Sequence, residues 1–322
     1  MTMDKMNLAI LGAGKIAATM AKTVQEMEDV SLYAVASRDA GRAAEFAENY
    51  GVEKSFGSYE EMLKDDGIDL VYVATPHSHH FEHAKLCIDH GRAVLCEKAF
   101  TWNAAQAEEL LAYAKEKKVL ITEAMWVRYM PASVMLKDLL AEGRIGKVIG
   151  LTANLGYSLM HVERMVRPEL AGGALLDLGV YTLNFATWIL GDDYRDFTVA
   201  AVKHDTGVDK AEFVNLIYPD GTAAGLFNTM EATTDRKGYI YGTEGHIVVD
   251  NINNFEAFHI YNNDYELVET IERPAQISGY EYEVLACKKA LEEGWLECPE
   301  MPHEHTLRMM RLLDEIKARM DS

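Results

Sequence analysis

The sequence predicts an α/β protein in two parts, a doubly wound parallel sheet followed by an α+β domain on a large, mostly antiparallel open sheet. Three observations carry this. An apolar run, Leu8-Ala9-Ile10-Leu11, breaks into Gly12-Ala13-Gly14-Lys15-Ile16-Ala17 near the start of the chain. Strand and helix signals then alternate to about residue 122, and from Lys147 onward long β-rich stretches take over.

The glycine run reads as a strand turning into a helix around a phosphate. Glycines let the backbone turn tightly and approach a pyrophosphate, while the following helix offers unpaired N–H groups and the positive end of its dipole. Ala17 stands where the fingerprint often has a third glycine. A helical stretch to Met27 and a second apolar run at 30–36 complete a βαβ unit of the Rossmann kind. Beyond it lie a helix at 40–50 and a capping box formed by Ser58 and Glu61. A strand at 69–75, a helix at 79–90 closed by Gly91, and a strand at 93–96 come next. An Ala- and Glu-rich helix to about Lys117 and a strand at 119–122 finish the pattern. Residues 1–122 are thus expected to form the dinucleotide-binding domain.

Residues 123–322 are expected to form the second domain. Strands are expected at 148–157, 197–202, 212–218 and 222–230, and around Tyr239, Ile247, Phe258 and Leu267. Turn signals at Pro219-Asp220-Gly221 and Glu244-Gly245 separate several of them. Helices are expected at 175–190, 280–293 and 304–320, with no repeat and no low-complexity linker.

At about 150 residues per domain, 322 residues suit two domains with a core each. Lys and Arg number 31 against 51 Asp and Glu, and the net charge of −20 argues against nucleic acid or an anionic membrane as partner. Cys87, Cys96, Cys287 and Cys298 form no CxxC pair, and the chain shows no apolar signal segment. These features suit a cytosolic protein with reduced thiols, Cys96 being a small apolar filler at a strand end.

The end of the second strand bears on which dinucleotide is bound. NAD sites usually place an acid there for the ribose 2′-hydroxyl, whereas this chain has Ser37-Arg38. A hydroxyl and a guanidinium suit a 2′-phosphate and favour NADP over NAD. Asp39 competes for the acid's role, but it immediately precedes a helical run, where Asp is a natural N-cap.

Chemistry in such folds sits beyond the carboxyl ends of the strands. Two such ends carry polar groups: Ala74-Thr75-Pro76-His77-Ser78-His79-His80 and Cys96-Glu97-Lys98-Ala99. His77, His79, His80 and His83 invite a metal reading, but they cross a strand-to-helix junction without a completing acid or thiol, so no metal is expected. Their better use is hydrogen bonding to a cofactor or capping. A third cluster, Gly172-Gly173-Ala174-Leu175-Leu176-Asp177-Leu178-Gly179-Val180-Tyr181, places Asp177 and Tyr181 four apart on one helix face. It can equally be a packed helix with Tyr181 at its rim.

Together, Gly12 to Ala17, Thr75-Pro76-His77 with His80, Glu97-Lys98, and the segment from Gly172 through Asp177 to Tyr181 resemble the Gfo/Idh/MocA oxidoreductases. The resemblance spans nearly the whole chain. Residues 123–129 and 173–181 are most similar to the dimeric dihydrodiol dehydrogenase and NADP-dependent D-xylose dehydrogenase subgroup. It implies hydride transfer between NADP and the carbinol or carbonyl carbon of a sugar, cyclic diol or related polyol, and a homodimer formed through the open sheet. Two departures stand out: Ala99 where the family usually has Pro, and His77 where Asn is usual. Tyr181 replaces the His of many members, a replacement the dihydrodiol-type subgroup shares.

Oxidising an alcohol requires a base for the hydroxyl proton. Tyrosine is too weak a base unless a nearby cation favours its phenolate, and Lys98 can supply that charge. The expected roles are Tyr181 as proton donor or acceptor, Lys98 as its electrostatic partner, and Asp177 as a hydrogen-bond partner of substrate or Lys98. The roles of Tyr181 and Lys98 are exchangeable at this stage. Trp126, Arg128, Tyr157 and Tyr280 are candidate pocket walls, since aromatic faces suit sugar or diol rings, although each can also be core. The competing class is a non-catalytic NADP-binding sensor on the same fold.

Overall fold

The computed structural model describes residues 4–321 and divides into two compact units. One comprises the chain through Tyr129 together with the returning segment Gln276–Met310; the other comprises Met130–Ala275 and the chain from Arg311 onward.

The first unit opens with β1 (Met6–Leu11), α1 (Lys15–Gln25), β2 (Val30–Ala36), α2 (Ala40–Tyr50), β3 (Lys54–Phe56) and α3 (Tyr59–Leu63). It continues with β4 (Leu70–Val73), α4 (His80–Asp89), β5 (Ala93–Glu97), α5 (Ala104–Lys117) and β6 (Ile121–Ala124). All six strands are parallel, in the order β3-β2-β1-β4-β5-β6. Every residue of β4 and β5 is buried, because helices cover both faces of a parallel sheet. The strand order reverses between β1 and β4, which opens a crevice beyond their carboxyl ends. Three helix starts rest on side chains: Asp39 accepts Arg42 N at 3.0 Å, Ser58 accepts Glu61 N at 3.1 Å, and Asn103 accepts Gln106 N at 3.0 Å. Ser58 Oγ also donates to Glu60, so the reciprocal arm expected of a capping box goes to the neighbouring acid. Strand β3 has only three residues, too few to show a period in sequence.

The second unit begins with α6 (Pro131–Ala141) and β7 (Val148–Gly156). A π-helical turn, Leu175–Gly179, runs into α7 (Val180–Leu190). The strands β8 (Asp196–Lys203), β9 (Asp209–Ile217), β10 (Ala223–Thr229), β11 (Gly238–Gly242), β12 (Gly245–Asp250), β13 (Ala257–Asn262) and β14 (Leu267–Glu272) follow. They join β7 in one sheet ordered β14-β13-β12-β11-β7-β10-β9-β8, antiparallel except between β7 and β10. Residues alternate along β9, with Glu212, Val214 and Leu216 buried and Phe213 and Asn215 exposed, and α7 packs on β7 and β10. The stretch Pro168–Leu190 is long and apolar enough to cross a membrane, but the most apolar part of it is 83% buried in the protein. Helix α6 was not foreseen, although Pro131 at its first position is a helix-start signal.

The returning segment carries α8 (Glu281–Glu293) and the first turns of α9 (His303–Met320). It covers the edge strand of the first sheet: Ile121 N donates to Leu296 O at 3.2 Å, and His303 Nε2 lies 2.8 Å from Ile121 O.

Candidate functional site

The first sheet's crevice is built on the absence of a side chain at Gly12. Its φ is +108°, and a Cβ there would lie 2.9 Å from Ala74 O, so β1 and β4 close together only around glycine. Gly14 is the N-cap of α1 and brings no side chain to the cap. The first turn, Lys15, Ile16 and Ala17, holds no acid, which leaves its amides directed at an anion. Backbone, dipole and close approach all fit a pyrophosphate.

At the end of β2, Ser37 is buried and its Oγ accepts Asp39 N at 3.3 Å. Asp39 spends its carboxylate on the amide of Arg42. Arg38 is exposed, and the charges of both Arg38 and Arg42 act on the Tyr59 phenol, opposing the rise that burial imposes. Two guanidinium groups therefore face this corner. Sequence reasoning found Arg38 and missed Arg42; the i,i+4 spacing was the available signal.

Beyond β4 and β5, the histidines bind the main chain and hydroxyls. His77 Nε2 lies 3.0 Å from Lys98 O, and His80 meets Ala99 O at 2.9 Å and Thr75 O at 2.8 Å. Burial pulls the His80 pKa down to about 4, so at neutral pH the ring donates to one of these carbonyls. His83 is likewise lowered to about 4, mainly by burial, and pairs with Thr75 Oγ1 at 3.0 Å. Among the described residues no group of His, Cys, Asp or Glu is arranged to hold an ion. Pro76 precedes the short turn His77–His79, and the Lys98–Ala99 peptide is cis. Glu97 accepts a short hydrogen bond from Tyr72 Oη and one from Lys98 N at 3.2 Å. Cys96 is fully buried, and desolvation raises its thiol far above the ordinary value. Thr75, His77, His80, Glu97 and Lys98 thus form one connected polar strip.

After β6, Trp126 stacks on Tyr280 with centroids 4.2 Å apart and planes 3° from parallel. Arg128 is buried beside Glu123, whose pKa burial raises to about 7 against the pull of Thr306, which donates to it at 3.0 Å, and of Arg128. Both Glu283 oxygens are buried without a hydrogen-bond partner, and desolvation raises that carboxyl well above its usual range. These acids share no sequence spacing with the motifs, and sequence reasoning missed them.

In the second unit, Asp177 sits on the π-helical turn and pairs with Arg164 Nη2 at 3.2 and 3.3 Å. Tyr181 lies in the first turn of α7 and is 7% exposed. Tyr157 Oη accepts from Arg236 at 3.2 Å and from Asn253 at 3.3 Å. Beneath the π turn lie two acids of β9, Asp209 and Glu212, which the motifs did not announce.

A dinucleotide-binding doubly wound sheet carrying Glu97-Lys98, with an open-faced mixed sheet beside a Tyr-bearing helix in the same chain, defines a two-domain nucleotide-dependent oxidoreductase. The family model described as "Oxidoreductase family, NAD-binding Rossmann fold" matches residues 6–125, and the Gfo/Idh/MocA C-terminal domain matches residues 134–248. The chain belongs to the Gfo/Idh/MocA family. It is 32% identical to a trans-1,2-dihydrobenzene-1,2-diol dehydrogenase of Mus musculus, covering 96% of this chain and 95% of that protein. A D-xylose 1-dehydrogenase (NADP(+)) of Hypocrea jecorina is 34% identical over 95% of this chain and 90% of its own. A crystal structure of a 3-ketoreductase from Actinomadura kijaniata with NADP and TDP-benzene superimposes with a TM-score of 0.89 at 26% identity, covering 98% and 97% of the two chains.

Proposed function

We propose that this protein is an NADP-dependent oxidoreductase acting on the carbinol or carbonyl carbon of a sugar, cyclic diol or related polyol. The observation that carries the reading is the pairing of a glycine cradle at Gly12 and Gly14 with Ser37 and Arg38 just after β2 and Arg42 in the first turn of α2. The cradle suits a pyrophosphate, and the guanidinium pair suits a 2′-phosphate through charge-assisted hydrogen bonds. Relatives named as acting on a dihydrodiol and, with NADP(+), on D-xylose support the substrate class and cofactor.

When bound, NADP+ supplies the acceptor of the hydride that leaves the carbinol carbon. Tyr181 takes the hydroxyl proton in oxidation and returns it in reduction. Lys98 contributes the positive charge that favours the phenolate, with its backbone fixed by Glu97 and His77 on either side. Asp177, held by Arg164, orients a substrate hydroxyl. Thr75, Pro76, His77, His80 and Glu97 shape the cofactor side, while Trp126, Arg128, Tyr157 and Tyr280 contribute to the walls around the substrate.

A row of aromatic side chains runs across the open sheet face: Phe213 on Phe227 at 4.4 Å, Tyr239 beside Tyr241 at 6.4 Å, and His246 on Tyr261 at 4.9 Å. Phe213 is 57% exposed, and a second copy of the chain is its natural cover, giving a homodimer. Four buried free thiols suit the cytosol.

The test is a panel of aldoses and trans-dihydrodiols offered with NADP+ and NAD+, read by nicotinamide absorbance. Turnover with NADP+ preferred supports the reading. Tight NADP+ binding without hydride transfer to any member would make the protein a sensor instead.

A further inference from the structure

The π-helical turn that carries Asp177 and leads into Tyr181 is held from below by two acids that no motif marks. Strand β9 contains a bulge at Lys210: Asp209 faces Lys203 and Ala211 faces Val202, leaving Lys210 as the extra residue. Residues three apart on a regular strand point to opposite faces, and the bulge removes that opposition, bringing Asp209 and Glu212 to the same side. Asp209 Oδ2 accepts Leu175 N at 2.6 Å, the first amide of the turn. Gly173 has φ of +120°, and a Cβ on it would collide with the same carboxylate. Glu212 is fully buried, and a Cβ on Gly179, the last residue of the turn, would lie 2.7 Å from Glu212 Oε1. At the third residue of α7, Thr182 Oγ1 lies 3.0 Å from Asn228 Oδ1 and 3.1 Å from Gly179 O, the two acceptors within reach of its one proton.

A π turn is rarer than continued α-helix and persists where its surroundings over-determine it. Here both of its ends meet a carboxyl group of one strand. We propose that Asp209 and Glu212 are positioning residues for Tyr181: Asp209 anchors the start of the turn through its amides, and Glu212 fills the space under Gly179, so that the phenol two residues further on has a single orientation. Desolvation and the neighbouring Asp209 raise Glu212 far above the usual carboxylate range; desolvation raises Asp209 too, against the pull of the main-chain amides it accepts, so Glu212 is the acid that keeps its proton. Lys317 is the cation whose charge reaches Asp209, and Asn228 is the neutral neighbour of Glu212.

This proposal rests on Tyr181 being the proton donor and acceptor, and the experiment separates the two ideas. Full-length Glu212→Ala, Glu212→Gln, Gly179→Ala, Tyr181→Phe and the Tyr181→Phe/Glu212→Ala double variant are compared for kcat, KM and NADPH affinity. Glu212→Ala lowers kcat about 30-fold with KM and NADPH affinity within about 2-fold, as an ångström-scale misplacement of a reacting group does. Glu212→Gln, neutral and of the same shape, keeps kcat within about 3-fold, and in the Tyr181→Phe background Glu212→Ala adds no further loss. Gly179→Ala, whose Cβ presses on the same oxygen, shows the kcat loss of Glu212→Ala even where the latter fails to fold. Multiplying losses in the double variant, or equal losses in the Gln and Ala variants, overturn the positioning role. So does a fully active Glu212→Ala beside an inactive Tyr181→Phe. An undiminished Tyr181→Phe removes the parent reading itself.

Discussion

Trp126 and Tyr280 lie face to face, 4.2 Å between centroids and 3° from parallel, although they are 154 positions apart along the chain. Such a pair contributes about 0.5–1.5 kcal/mol beyond the area it buries. It also fixes a flat apolar surface just after the last strand of the first sheet, the wall proposed above for a ring-shaped substrate. Replacing Tyr280 with Ala therefore raises KM about 10-fold while NADPH affinity holds within about 2-fold, since the loss of stacking falls on substrate contacts. Steady-state kinetics with a parallel NADPH fluorescence titration checks this.

Arg38→Ala weakens NADP+ binding about 10- to 100-fold and leaves NAD+ binding within about 2-fold, because only the former carries the phosphate assigned above to this guanidinium. Isothermal titration with both nucleotides measures the ratio. Unchanged NADP+ affinity would remove Arg38 from the phosphate site.

Glu123 sets a pH window for stability. Its pKa rises from an ordinary value of 4.5 to about 7 in the folded protein, so the folded state holds a proton that the unfolded chain has already released. That contribution is complete below 4.5 and is lost as pH climbs through 7, at a limiting slope of about 1.4 kcal/mol per unit. Glu123→Gln keeps an acceptor for Thr306 and removes the titration. Its stability relative to the parent therefore improves by about 3 kcal/mol between pH 4.5 and pH 8, read by urea unfolding at several pH values.

Much of the architecture was legible because the forces that select it act locally. Gly12 and Gly14 marked the turn from β1 into α1, and Asp39 was readable as an N-cap, which is how the structure uses it. Alternating strand and helix signals marked most of the first sheet, and long β-rich stretches with turn signals marked the second, while the three-residue β3 left no pattern to read. The site was legible only in part, because its supports come from tertiary pairing: Glu283, Glu123, Asp209 and Glu212 sit on different elements and share no spacing. The π turn was likewise invisible, since Leu175 to Leu190 reads as ordinary helix and only the acids of β9 distinguish its first five residues.

Gly173→Ala destabilises the protein by about 1–3 kcal/mol, through strain at positive φ and collision with Asp209. Chemical denaturation measures this. Gly191→Ala, also at positive φ but with open space around its Cβ position, isolates the backbone share of the loss.

Phe213→Glu on the exposed sheet face turns the proposed dimer into a monomer, as light scattering would show. A monomeric parent would instead leave Phe213 and Phe227 as a solvent-facing pair.

The edge of the parallel sheet has one more consequence. Strand β6 leaves the ribosome early, yet Leu296 and His303, which occupy the main-chain groups of Ile121, are synthesised about 180 residues later. At about 5–20 residues per second the nascent sheet waits roughly 10–40 s with a bare flank. Translation that halts short of α8 releases a fragment whose open strand is ready to pair with its neighbours, and aggregation is the fate such a fragment meets.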